Sequence, residues 1–332
     1  MASFITYIFL FCLVLANTAF GLGNYKLVHN YDKSNWFTSF KYNTINDPTE
    51  GTVDYIGLAE SQKSGLSRIV GNQVYLGVDN TSIVDASSRG RKSMLLTSFD
   101  EFKYGILIGD FAHMPASDCG TWPAFWSISE GHTMEDTSKL PYGEIDLLET
   151  FNSNTNGWMT LHTDPRLAEC TFQQTKPFQA GSINQDFTSC RNGPGCSTVA
   201  PIGSSGTPFN AQGGGVYAYE WTSQFINMYY FPRKMIPADI KAGRPNTASW
   251  GIPVASFDTR RGGCDLDGNF PEQTIYFDTT FCGKSAGGKG WTDWTDCSKT
   301  TKVSTCDAYV RQTPHAFDNA YWLINSVKVY QQ

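Results

Sequence analysis

The sequence has no basic stripe and no run of like charge. Its 25 Lys and Arg stand against 31 Asp and Glu, a formal charge of −6. A nucleic-acid partner needs clustered cations to meet its phosphates, so none is expected. Close CxxC pairs and a histidine ligand set are also missing, which removes the usual zinc sites. No internal repeat appears, and no segment carries a long apolar period of 3.6 residues, so extended amphipathic helices are not expected. Beyond the N-terminus no run is long and apolar enough to span a membrane.

What is present starts with an apolar run, "FITYIFLFCLVLA" at 4–16, followed by the small residues of "NTAFG". That pattern reads as an export signal cut after Ala19 or Gly21, leaving a secreted chain of residues 22–332. Nine cysteines occur, one of them, Cys12, inside the signal. The other eight are Cys119, Cys170, Cys190, Cys196, Cys264, Cys282, Cys297 and Cys306. An even count in an exported chain reads as disulfides, although eight cysteines allow 105 pairings. Asn80-Thr81-Ser82 is a sequon, which makes Asn80 a glycosylation acceptor on a secretory route. Sparse charge (17 %) and many aromatics (14 %) suit a globular chain whose surface meets neutral polyhydroxy compounds.

Short segments rich in β-branched and aromatic residues recur between Gly, Asn, Ser and Pro. Among them are "YGILIGDFAHM" (104–114), "PAFWSIS" (123–129), "GEIDLLET" (143–150), "GWMTLHTD" (157–164), "FINMYYFP" (225–232) and "AYWLINSVKVY" (320–330). They predict an all-β chain, a sandwich of two antiparallel sheets in one domain. The Gly/Ser/Pro-rich stretch from about Lys176 to Gly215 is expected to be a long loop tied down through Cys190 and Cys196.

"GEIDLLET" sets Glu144, Asp146 and Glu149 among Ile145, Leu147 and Leu148. Side chains on a strand alternate faces, so Glu149 would join the apolar layer and pay a burial cost there. One β-bulge near Leu147–Leu148 removes the conflict and puts the three acids on one face. Four effective steps of ~3.3 Å set the glutamate Cα atoms about 13 Å apart. Side chains leaning inward bring their carboxyls to roughly 5–6 Å, the separation of a retaining glycosidase rather than an inverting one. Three clustered carboxyls cannot all ionise easily, so one proton stays in the cluster, as a general acid requires. Calcium recruits more oxygens from one contiguous loop than a bulged strand offers.

With these residues the sequence resembles glycoside hydrolase family 16, in particular its secreted fungal-type endo-β-1,3(4)-glucanases, or laminarinases. The likeness rests on G-E-I-D-x-x-E and, in order, "GRKSMLL" (90–96), "CGTWPAFW" (119–126), "TLHT" (160–163), "YFPR" (230–233), "WGIPVASF" (250–257), "TFCG" (280–283) and "AYWLINSVKVY". It implies a β-jelly-roll sandwich, lectin-like, with an open concave cleft and no cofactor or metal. It also implies Glu144 as nucleophile, Asp146 as assisting carboxylate and Glu149 as acid/base.

The same resemblance implies sugar contacts at Trp126 and His162 and, from "GRKS", at Arg91. Trp122 shares a strand face with Trp126, and Trp158 is a further candidate. Glu220 and Trp221 are weaker, with Trp221 read as core. The sequence departs from the fungal pattern in a longer loop ending "KLPY" (139–142), where a second cleft tryptophan often precedes G-E-I-D, and at three positions: Lys284 and Ser285 replace Asp and Trp of "CGDWAG", and Tyr229 replaces the Trp of "WFFPR". Tyr142, Trp291 and Trp294 are the aromatics available to compensate. The expected partner is a β-glucan, met by a monomer away from any membrane. The alternatives are another glycan such as a galactan, transglycosylation, or glucan binding without cleavage.

Overall fold

A computed structural model describes residues 25–129, 141–173, 176, 178–183, 188–191 and 193–332. The expected export segment and the first residues of the loop ending at Tyr142 lie outside the described residues.

Two eight-stranded sheets, antiparallel throughout, form the body of the chain. The first runs, edge to edge, Ser182–Ile183, Cys196–Val199, Trp158–Thr163, Gly143–Glu149, Thr121–Ser129, Gln273–Phe281, Leu95–Phe102 and Phe40–Asn43. The second runs Ala255–Asp258, Phe225–Pro232, Gly215–Trp221, Gly105–His113, Tyr321–Gln331, Gln73–Gly77 and Ser67–Val70, with Lys26–Tyr31 also paired to Tyr321–Gln331. In the first sheet Thr121–Ser129 lies between a strand that follows it closely and one some 150 residues later, so long crossovers tie the sandwich together.

Strand alternation sorts the side chains. On Thr121–Ser129, Phe125 turns inward to stack on Phe277 (4.6 Å between ring centres) and meet Phe111 edge-on (5.1 Å). Ala124, Trp126 and Ile128 turn outward into a second apolar cluster. The inner cluster draws Ile145, Leu147 and Leu148 from the first sheet together with Leu107, Tyr219 and Val327 from the second. This is the core that fixes which face the acids occupy.

The structure corrects the reading of Lys176–Gly215 as a plain loop. Within it Cys196–Val199 extends the first sheet, Ser182–Ile183 pairs with that strand, and Gly206–Ala211 is helical. The strand was hidden because Cys, Ser and Thr fill three of its four positions and no apolar run marks it. Cys190 and Cys196 do tie this stretch, but to each other.

The eight cysteines form four disulfides, Cys119–Cys297, Cys170–Cys264, Cys190–Cys196 and Cys282–Cys306. Two of them hold a helical segment, Gly283–Ala286, Gly288–Thr292, Cys297–Thr301 and Cys306–Gln312, against the outer face of the first sheet. These helices run four to seven residues, too short to show a helical period in the sequence.

Candidate active site

Pairing along the acid strand is regular from Gly143 to Asp146. Glu144 faces His162 and Ile128, and Asp146 faces Thr160 and Trp126. It then slips, and Glu149 faces Trp158 and Ala124. The acid strand advances three residues while each neighbour advances two, which is the bulge expected at Leu147–Leu148. Ile145, Leu147 and Leu148 are completely buried, and the acids fall on the opposite face. The entry to the strand is equally constrained. A Cβ on Gly143 would lie 2.2 Å from the carbonyl oxygen of Asn269, so only glycine lets the strand pass.

Each acid has its own partner. The Tyr142 hydroxyl donates to Glu144 Oε2. His162 Nε2 is 3.1 Å from Asp146 Oδ2. Trp122 Nε1 donates to Glu149 Oε1 at 2.6 Å. A fourth carboxyl, Asp278, lies on the same face two strands from Glu149 and accepts from Trp126 Nε1 at 2.9 Å.

Burial pushes the Asp146 carboxyl well above the usual range, the charge of Glu144 adds to this, and His162 opposes it. Burial also raises Glu149, against the indole N–H of Trp122 and the nearby His162. For His162, burial alone would lower the pKa. The bond to Asp146 and the charges of Glu144, Asp146 and Glu149 outweigh it and lift the imidazole to about 9. Asp278 is raised by burial, only partly relieved by Trp126. Burial thus favours the protonated form of Glu149, and His162 holds its proton to above neutrality beside the carboxyls. Glu144 sits in their midst with a hydroxyl donor of its own.

Glu144, Asp146 and His162 bring their ligating atoms within 4.8 Å of one another. Within this set His162 and Asp146 are already paired with each other.

The sugar-contact expectations fare unevenly. His162, Trp122 and Trp158 stand beside the acids and are half-buried. Trp126 is on the acid face, but it is almost covered, lying 4.4 Å from Tyr276 with its N–H turned to Asp278. It forms floor more than platform. Arg91 is a correction: it is fully buried and donates to the carbonyls of Val310, Asp79 and Ser82, so it has no surface to offer a sugar. Its guanidinium stitches the helical segment to the strand Arg91–Ser93. Glu220 also falls elsewhere, on the second sheet, accepting from Tyr25 and Thr247. Trp221 is core, as read.

Tyr229 lies on the outer face of the second sheet, packed with Phe231 and Trp250. Its replacement of tryptophan removes nothing from the acid face. Trp291 is buried, whereas Trp294 is 57 % exposed. Asp278 was missed in the sequence. Its signal, a carboxylate inside the otherwise uncharged strand "TIYFDTTF", is the same kind that marked the acid strand.

The XgeA-like, catalytic GH16 domain model matches residues 40–330. An endo-1,3(4)-beta-glucanase of Arthroderma benhamiae is 37 % identical over 318 residues, covering 94 % of this chain and 66 % of that protein. A probable endo-1,3(4)-beta-glucanase of Aspergillus niger is 37 % identical over 313 residues, 93 % of this chain and 40 % of its own. The chain spans about half the length of such relatives. Among solved structures, an elongating GH family 16 beta-1,3-glucosyltransferase is 36 % identical with a TM-score of 0.82, covering 92 % of this chain and all of that one. Laminarinase 16A from Phanerochaete chrysosporium, holding 6-O-glucosyl-laminaritriose in donor and acceptor sites, is 34 % identical with a TM-score of 0.80, over 92 % and 99 %. The two-sheet sandwich is thus the jelly roll of these enzymes.

Proposed function

The chain belongs to glycoside hydrolase family 16, and from that premise we propose that it is a secreted, endo-acting, retaining β-glucanase cutting β-1,3 or mixed β-1,3/1,4 linkages. The observation that carries this reading is the bulged strand, which lines Glu144, Asp146 and Glu149 on one face with His162 across from them. One catalytic domain, residues 22–332, follows an export segment at 1–21, and the partner is the glucan itself.

The roles follow from the partners. Glu144 attacks the anomeric carbon while Glu149, whose protonated form burial favours, gives its proton to the glycosidic oxygen. The Tyr142 hydroxyl orients Glu144. Asp146 shares its proton with His162, which limits the negative charge beside the nucleophile. Once Glu144 is an ester its charge is gone, the pKa of Glu149 falls, and Glu149 takes a proton from the incoming water. Trp122 holds Glu149 in place through both steps.

A second reading has specific support, since a similar structure is that of an elongating β-1,3-glucosyltransferase. The chemistry is shared, with a sugar hydroxyl in place of water at the second step. NMR product analysis on laminarin and mixed-linkage β-glucan, with wild type and Glu144→Gln, tests the proposal. Short oligosaccharides released as β-anomers by wild type alone are expected. Release of α-anomers, or undiminished cleavage by the variant, would overturn it.

A further inference from the structure

Just past Glu149 the chain joins the first sheet to the helical segment. Asn152 is buried and donates from Nδ2 to the carbonyls of Ala286 and Gly290, both at 3.0 Å. Its Oδ1 accepts from Gly120 N at 2.7 Å, and the Cys119–Cys297 disulfide closes the same joint. Thr295 Oγ1 donates to the Gly290 carbonyl at 2.6 Å. Trp294 is held between these anchors.

Its indole rests over Gly290, where a Cβ would lie 3.6 Å from Cε3. Its ring centre is 6.3 Å from that of Phe151, inclined at 63°. Phe151 is in turn 5.9 Å from Trp158, the cross-strand partner of Glu149. A continuous aromatic path therefore leads from Glu149 through Trp158 and Phe151 to an indole left open to solvent. Scattered exposed side chains such as Ile83 and Ile202 need no explanation. Trp294 differs from them because it packs on Phe151 and over Gly290, next to the acid strand.

We propose that Trp294, braced by Phe151, is a sugar platform on the leaving-group side of Glu149, and that it sets the proportion of glycosyl transfer to hydrolysis. This inference rests on the retaining-glucanase reading above. The occupant is a glucosyl unit of the released or incoming β-glucan, whose C–H face covers the indole while its hydroxyls stay in water. Glu149 protonates the oxygen that leaves, so the departing glucan lies beside it. In the second step an acceptor oxygen bonds to the anomeric carbon and the bond from that carbon to the Glu144 carboxylate oxygen breaks. The electron pair returns to Glu144, and the acceptor's proton passes to Glu149. Water and a sugar hydroxyl both satisfy this balance. A platform that retains a sugar raises its local concentration at the ester, which favours transfer.

The test compares wild type, Trp294→Phe and Trp294→Ala on end-labelled β-1,3-gluco-oligosaccharides, with increasing unlabelled acceptor. Transfer and hydrolysis products are counted together with the bond cleaved. Trp294 is surface-exposed, so folding is expected to survive, and matching melting curves check it. Trp294→Ala should lower the transfer-to-hydrolysis ratio roughly fivefold and shift cleavage away from bonds that leave sugars over the platform, while Trp294→Phe keeps most of both. An active wild type with the same ratio and cleavage pattern in Trp294→Ala would overturn this inference alone, as would a wild type that makes no transfer product. A wild type that cleaves no β-glucan would overturn the parent reading.

Discussion

His162 Nε2 stands 3.1 Å from Asp146 Oδ2, the two residues projecting from neighbouring strands onto one face. The folded imidazole titrates at about 9 against an ordinary 6.5. A raised pKa means that the folded state keeps a proton which the unfolded chain has released. The stability it contributes is complete below about pH 6.5 and is lost as pH rises through about 9. Melting temperatures of wild type and His162→Gln should therefore differ most near pH 6 and converge by about pH 9.5. A gap that stays constant with pH would mean that His162 contributes without its proton.

Trp122 gives the second prediction. Its N–H bonds the charged form of Glu149 and so holds that pKa down against burial. Trp122→Phe removes the donor and keeps most of the ring. The alkaline limb of the kcat/KM profile should move to higher pH. KM should rise as well, since part of the indole faces the cleft. A limb that moves to lower pH would contradict the assignment of Glu149 as the acid.

Asp278 is buried, and burial favours its neutral form. Asp278→Asn leaves an acceptor for Trp126 Nε1 without a charge to desolvate, so denaturant midpoints should stay near wild type. Asp278→Leu strands that N–H and should cost about 1–3 kcal/mol. If the asparagine variant proves the worse of the two, the carboxyl is ionised and the neutral assignment is wrong.

The disulfides should contribute unequally. Cys119–Cys297 spans 178 residues and Cys190–Cys196 spans 6. Loop entropy alone gives about 5 and about 2 kcal/mol for the two. Paired Cys→Ser variants, unfolded in denaturant, should rank in that order. Equal losses would place the effect in native packing instead of the unfolded chain.

How much of this could be read beforehand depended on whether a residue's role was local. The bulge was legible because five neighbouring residues, Ile145 to Glu149, conflict with strict alternation unless one step is added. The sandwich was legible from strand after strand with the same composition. Arg91 was not, because its partners are carbonyls of residues such as Val310, more than two hundred positions away. The strand Cys196–Val199 was not, since its stability comes from pairing with Trp158–Thr163 and not from apolar side chains of its own. Trp291 and Trp294 look alike in "GWTDWTD", and only the packing of the short helices separates the buried one from the open one.

The slip at Leu147–Leu148 has a consequence for how such a strand tolerates change in length. Removing either leucine would restore plain alternation and leave Glu144, Asp146 and Glu149 in one row, their spacing along the strand almost unaltered. The loss would fall on the core, which has one leucine fewer to fill it, at a cost on the order of 2–5 kcal/mol. Deletion at this point thus costs core stability and leaves the acid geometry as it was. The most exacting part of the molecule is carried by a segment that can be one residue shorter without moving its acids.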